Sequence, residues 1–222
     1  MTSNRDNAHQ GTPALRLITV IVLALLEFIL IAALIPSRWS ERQREIEVRW
    51  LIDAMGPVAA AHITHDAQAW YGAWFLRTGI VDATYDLFLP DDEDSRRSPE
   101  LHRMENLPLW QWLDNRLDVI WFAVYTAIQR LVILAAWWPF LLLALAGAIG
   151  DGLLRRKIRQ SGFAYPSPIA HRYALRAIKL LLLLTLFGLL LPVPLPAAGV
   201  PLLTLAFTLG VGVWLTNTQK RI

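Results

Sequence analysis

At 222 residues, 55% of them hydrophobic and 18% charged, with a mean hydropathy of +0.39, the chain is too apolar for an ordinary water-soluble domain of its size. A formal net charge of +3 and a pI near 9.5 would suit a nucleic-acid partner. The cations lie beside apolar runs, however, where membrane orientation and anionic lipid account for them first. With no cysteine, a disulfide framework, a thiolate nucleophile and a cysteine-based zinc site are all excluded.

In chain order, residues 1–14 are polar and without period, and read as a flexible tail. Residues 15–35 form a first apolar run of about 21 residues, about 30 Å as a helix, which is enough to cross a bilayer. It is too long for a signal peptide's apolar region and lacks a good cleavage site, so a retained anchor is expected. Residues 37–118 change character: they hold 15 of the 18 acids and nine arginines but no lysine, for a net charge of −6.

Within this segment an amphipathic helix is expected over 40–55, with Ile46, Trp50 and Ile52 as apolar anchors and Gly56-Pro57 as its stop. A second, Ala-rich helix is expected over 58–76, ended by Gly79. Residues 81–89 are ambiguous between helix and strand, and 90–99 (PDDEDSRRSP) read as a solvated loop. Pro108 suits the first position of a long helix that runs through the second span, 119–149, with Pro139 as the place for a kink.

Residues 150–176 form a basic loop, and seven of the chain's 21 Lys and Arg residues lie between 151 and 179. Pro166 and Pro168 break it, and Ser167-Pro168 is a good N-cap and first helical residue. The third and fourth spans, 177–191 and 200–215, are short and are joined by the prolines at 192, 194 and 196, with a re-entrant or tightly paired hairpin as the alternative to two full crossings; residues 216–222 close the chain. The expected fold is an all-α membrane protein with about four spans and a helical, Trp-rich segment between the first two. Short basic loops stay cytoplasmic, so both termini and the basic loop are expected in the cytoplasm of a bacterium, with 37–118 in the periplasm.

Two ionisable residues stand out in apolar runs. Glu27 and Arg130 fall at similar depths on antiparallel spans, and such groups normally face a partner or a water-filled cavity. Their pairing is expected either as a helix-to-helix clamp or, in a second functional reading, as part of a small transporter or channel-like subunit. A third possibility leaves Arg130 at the interface, with the span starting at Leu131. In His62-x-x-His65-Asp66 two imidazoles can share a helical face, but no third ligand has a standard spacing, so neither a metal nor a cofactor is expected. Among the ten tryptophans, Trp39, Trp110, Trp112 and Trp121 fall near membrane edges as an aromatic belt would, and Trp50, Trp70 and Trp74 are spaced to pack the outer helices together, with a protein-docking face as the second reading. No catalytic constellation is present, which argues against an enzyme.

In the basic loop Asp151 and Arg155 are spaced to pair, while Arg156 and Arg159 share one face and Arg172, Arg176 and Lys179 another. Lipid phosphate explains the charge. The order Trp138-Pro139, Asp151-Gly152-Leu153, Arg155-Arg156, Arg159, Gly162, Ser167, His171-Arg172 and Arg176 resembles a family of uncharacterised membrane proteins from integrating conjugative elements and conjugative plasmids. The stretch from Phe163 to Pro166 departs from that pattern, in which Gly and Arg are commoner. The resemblance implies a bacterial inner-membrane setting beside a type IV secretion machine, with its DNA-coupling ATPase or another component as partner. On this reading Asp151, Gly152, Arg155, Arg156, Arg159, His171, Arg172 and Arg176 form a docking surface, with membrane lipid and a second copy of the chain as further partners. Direct contact with nucleic acid is not expected.

Overall fold

A computed structural model describes residues 18–89, 108–161, 167–191 and 193–218, apart from scattered positions between 21 and 35. The expected polar tails, the 90–99 loop and the 163–166 departure lie outside these residues. The described residues between 18 and 34 are helical. Seven α-helices follow: α1 (Ser37–Met55), α2 (Pro57–Tyr71), α3 (Ile80–Phe88), α4 (Pro108–Ala136), α5 (Trp138–Ser161), α6 (Pro168–Leu190) and α7 (Gly199–Thr216). A π turn, Gly72–Leu76, continues α2. No strand occurs among the described residues, and the ambiguous 81–89 stretch is helical as far as Phe88.

The punctuation read from the sequence acts as expected. Gly56 takes a φ of 82°, which is open only to a residue without Cβ strain, and Pro57 then starts α2 at its first turn, where its missing N–H costs nothing. Gly79 does the same between the π turn and α3, with a φ of 70°. Ser167 caps α6 by accepting a hydrogen bond from the Ala170 N–H, with Pro168 at the first position.

Pro139 breaks the long helix two residues early. It has no N–H to offer, and the ladder slips so that the Trp137 N–H donates to the Leu134 carbonyl at 3.2 Å before α5 resumes. α4 and α5 touch only around this junction, so they run on from one another and do not fold back as a hairpin.

α7 packs between α5 and α6 and against both, so the three helices form a bundle with α7 at its centre. α7 runs parallel to α5, and their approach is close because a Cβ on Gly152 would meet the Gly212 carbonyl and the Leu215 Cβ at 3.1 Å each. Small residues let apolar helices meet backbone to backbone, where van der Waals contact replaces the missing hydrophobic drive. α1, α2 and α3 pack instead on α4. Their core joins Leu51, Ala60, Ile63 and Ala67 to Ile128 and Val132 of α4. Tyr71 and Phe75 stand edge-on to Trp121, and Tyr71 also meets Tyr125, whose ring lies under the Arg44 guanidinium. α3 is tied down by the Tyr85 hydroxyl, which donates to Asp118 at 2.7 Å. Burial, and then that hydrogen bond and the carboxylate's charge, push the Tyr85 phenol well above its ordinary value.

Two packing expectations are overturned. The buried face of α1 is Ser40, Gln43, Glu47 and Leu51, whereas Trp50 and Ile52 are exposed and Ile46 is only half-buried. The face is chosen by a polar joint described below, which apolar periodicity does not report. Trp50, Trp70 and Trp74 are exposed, at 38%, 37% and 52%, and do not hold the outer helices together. The small residues Ala60 and Ala67 line the contact and bring α2 close to α4, which leaves the large indoles outside. Trp121 packs in the Tyr71 and Phe75 cluster.

Among the described residues, four helical segments are long and apolar enough to cross a membrane: Leu109–Ala136, Trp138–Arg159, Pro168–Leu190 and Gly199–Thr216. A third of the first window is buried inside the molecule, against 6% of the second and third. The outer helices sheathe α4, whereas α5 and α6 present leucines such as Leu143, Leu154 and Leu180 outward, each more than 60% exposed. An apolar face of this kind is stable only against lipid or another apolar surface.

Candidate functional site

Two clusters occupy opposite ends of the α5–α7 bundle. At the end nearer α4, the sequence places three prolines in the six residues from 191 to 196, and each proline withholds an N–H. The last carbonyls of α6 have no partners of their own within the helix either. Arg130 of α4 supplies the missing donors. Its Nη1 donates to the carbonyls of Gly188 at 2.6 Å, Leu189 at 3.2 Å and Leu191 at 2.7 Å, and its Nη2 donates to Val193 at 2.8 Å. Nη2 is also ion-paired with Glu47 Oε1, which accepts the Leu195 N–H at 3.0 Å and lies 3.5 Å from Gln43 Nε2. The guanidinium carries positive charge at the negative end of the α6 dipole.

Arg130 and Glu47 are both buried, at 6% and 7% exposure, and Gln43 beside Glu47 is buried with them. Four parts of the chain meet here: α1, α4, the end of α6 and the turn before α7. The acid on Arg130 is thus Glu47 and not the expected Glu27. Glu27 sits on the N-terminal helix, and its Oε2 has no hydrogen-bond partner among the described residues. The geometry matches the clamp reading with a different acid. It gives no support to an ion path through Glu27 and Arg130, because the guanidinium is bound to backbone carbonyls in a closed joint.

The opposite end carries the cations. Asn217, just past α7, is 5% exposed, and its Oδ1 accepts both Arg159 Nη1 at 2.9 Å and the Ser167 N–H at 3.2 Å. One side chain therefore holds the ends of α5 and α7 level with the start of α6. His171 lies against Trp214, with ring centroids 6.4 Å apart. Asp151 and Arg155 pair as their spacing implies, at 2.8 Å and with both side chains more than half exposed.

The eight residues expected to dock a partner thus separate by burial. Asp151, Arg155, Arg172 and Arg176 are exposed, Arg156 is half-buried, and Arg159 and His171 are half-buried and engaged within the bundle. Gly152 is buried against α7 and leaves the docking set, because its role is the close helix contact. Asn217 went unnoticed in the sequence; a polar residue directly after an apolar run was the available signal. His62 and His65 are exposed beside an open groove with Pro57, Val58 and Ala61, and among the described residues no group of three metal-binding side chains occurs.

These features define a multi-pass, all-helical membrane protein with a polar joint at one end of its bundle and a cationic platform at the other. Residues 46–219, more than three quarters of the chain, match the model of a family described as "DtrJ-like: IncC plasmid conjugative DNA transfer protein DtrJ-like". The chain belongs to this DtrJ-like family, which agrees with the resemblance drawn from the loop. The matched stretch takes in both Glu47–Arg130 and the basic platform, whereas Glu27 precedes it. No curated protein and no solved structure matches the chain.

Proposed function

We propose that the chain is a non-enzymatic inner-membrane component of conjugative DNA transfer, and that it docks a cytoplasmic part of a type IV secretion machine, such as its coupling ATPase, through the basic platform. Membership of a conjugative DNA transfer family supports the process. The observation that carries the docking reading is the rigid presentation of charge. Asn217 pins three helix ends together, and the exposed Asp151–Arg155 pair with Lys157 projects from that fixed base. A preorganised platform loses little conformational entropy on binding.

On this reading the kinked α4–α5 helix crosses the bilayer once, mainly through α5, and α6 and α7 cross beside it. The N-terminal helix makes the fourth crossing. Both termini and the platform face the cytoplasm, and α1–α3 face the periplasm with Arg130 near that interface. Charge reversal of Arg155 and Arg156 should lower transfer in a mating assay at unchanged protein level, and cross-linking from this face in donor cells should capture a transfer component. Normal transfer by the reversed variant would refute the docking role. A reporter active only in the periplasm should work when fused at Ser95 and be silent at Ser161; the reverse result would overturn the orientation.

A further inference from the structure

We propose that the outward face of α6 at the basic end is a binding site for an anionic membrane phospholipid, with Arg172, Arg176 and Lys179 holding its phosphate headgroup. The three cations follow an i, i+4, i+7 spacing and so form one stripe, and all are exposed. The bundle side of α6 carries buried Ala174 and Ile178, which abuts Gly210 of α7. The stripe is therefore turned away from the neighbouring helix. Among the described residues no acidic side chain pairs with any of the three, in contrast to Arg155 with its Asp151. Three like charges within about two turns repel one another unless an anion joins them.

Depth identifies the anion. Asn217 holds the start of α6 level with the ends of α5 and α7. From there α6 rises about 7 Å to Arg172, about 13 Å to Arg176 and about 18 Å to Lys179. The apolar run beyond Lys179, residues 180–191, spans only about 18 Å, well short of a hydrocarbon core of about 30 Å. The cations must then lie at leaflet depth, with stems along the helix and charged heads turned to the phosphates.

The surround is apolar. Tyr173 is 63% exposed and lies under the Arg176 guanidinium, 5.8 Å from its ring centre, while Ile169 and Leu180 are 61% and 65% exposed. Cations continuing into an exposed leucine face suit a ligand with a phosphate and an acyl chain, which a free anion lacks. This assignment goes beyond the docking reading and leaves the α5 side of the platform to protein.

The test uses the full-length chain in neutral detergent, titrated with phosphatidylglycerol or with phosphatidylcholine, and reads retained lipid by native mass spectrometry. The wild type should retain phosphatidylglycerol in preference. Each cation near an anionic surface contributes about fivefold, so Arg172→Gln/Arg176→Gln/Lys179→Gln together should weaken retention by about a hundredfold. Arg172→Lys/Arg176→Lys should keep it, and Arg155→Gln/Lys157→Gln should leave it unchanged. If the triple variant fails to fold, the single variants decide, each expected to lose about fivefold. Unchanged retention in the α6 variants, equal retention of both lipids by the wild type, or displacement of the lipid by inorganic phosphate would each overturn the site. None of these readouts involves transfer, so failure here and failure of the docking reading are separable.

Discussion

The two ends of the membrane bundle use the same residue type to opposite effect. At one end a single arginine, Arg130, is buried and joined to four carbonyls and a carboxylate. At the other, most of seven cations lie open and only Arg155 and Arg159 have a polar side-chain partner among the described residues. Taking a charge out of water is tolerated only where fixed dipoles and a counter-charge replace the water. The first end is accordingly a joint, whose removal costs stability. Exposed cations add little to stability and remain available for a partner.

The largest effect should come from the joint. Arg130→Met leaves Glu47 buried without its partner and should cost about 3–5 kcal/mol, read as thermal or denaturant unfolding in detergent. A loss below about 1 kcal/mol would mean that water reaches Glu47 and the contrast between the ends is false. Next comes the bundle between them. Gly152→Leu drives a side chain into the Gly212 backbone and should cost about 1–3 kcal/mol, whereas Gly147→Ala, with open space at its Cβ, should be neutral or slightly stabilising.

Smaller still, Tyr85→Phe removes one hydrogen bond and should cost about 1 kcal/mol. The folded phenol binds its proton more tightly than the unfolded one, so the stability it adds is complete below about pH 10 and is lost as pH rises further. The Phe variant should lack that alkaline loss in a pH series of unfolding curves. The smallest effect sharpens the comparison most. Arg155→Gln breaks an exposed pair and should shift stability by less than about 0.5 kcal/mol while lowering transfer. A large stability loss there would make the platform a second joint.

Much of the fold was legible because its signals are local. Gly56-Pro57, Gly79, Pro108 and Ser167-Pro168 mark helix ends by their own backbone chemistry, and Asp151–Arg155 is a spacing on one helix. The break at Pro139 was placed to within two residues. The misreadings share another cause. Hydrophobic periodicity pointed to Trp50, Trp70 and Trp74 as packing residues, but close contact favoured alanines and left the indoles outside. Gly152 looked like part of a surface motif because its meaning lies in Gly212, on another helix.

Sequence alone determined that this is a helical membrane chain, where most helices begin and end, and that its positive charge collects between two apolar runs. Lipid and backbone geometry impose those features residue by residue. Only the tertiary structure decided that Arg130 closes on Glu47, that Asn217 levels the platform, and that the α6 cations face away from the bundle. Those are questions of which polar groups lose water together, and the answer depends on which helices come to lie side by side.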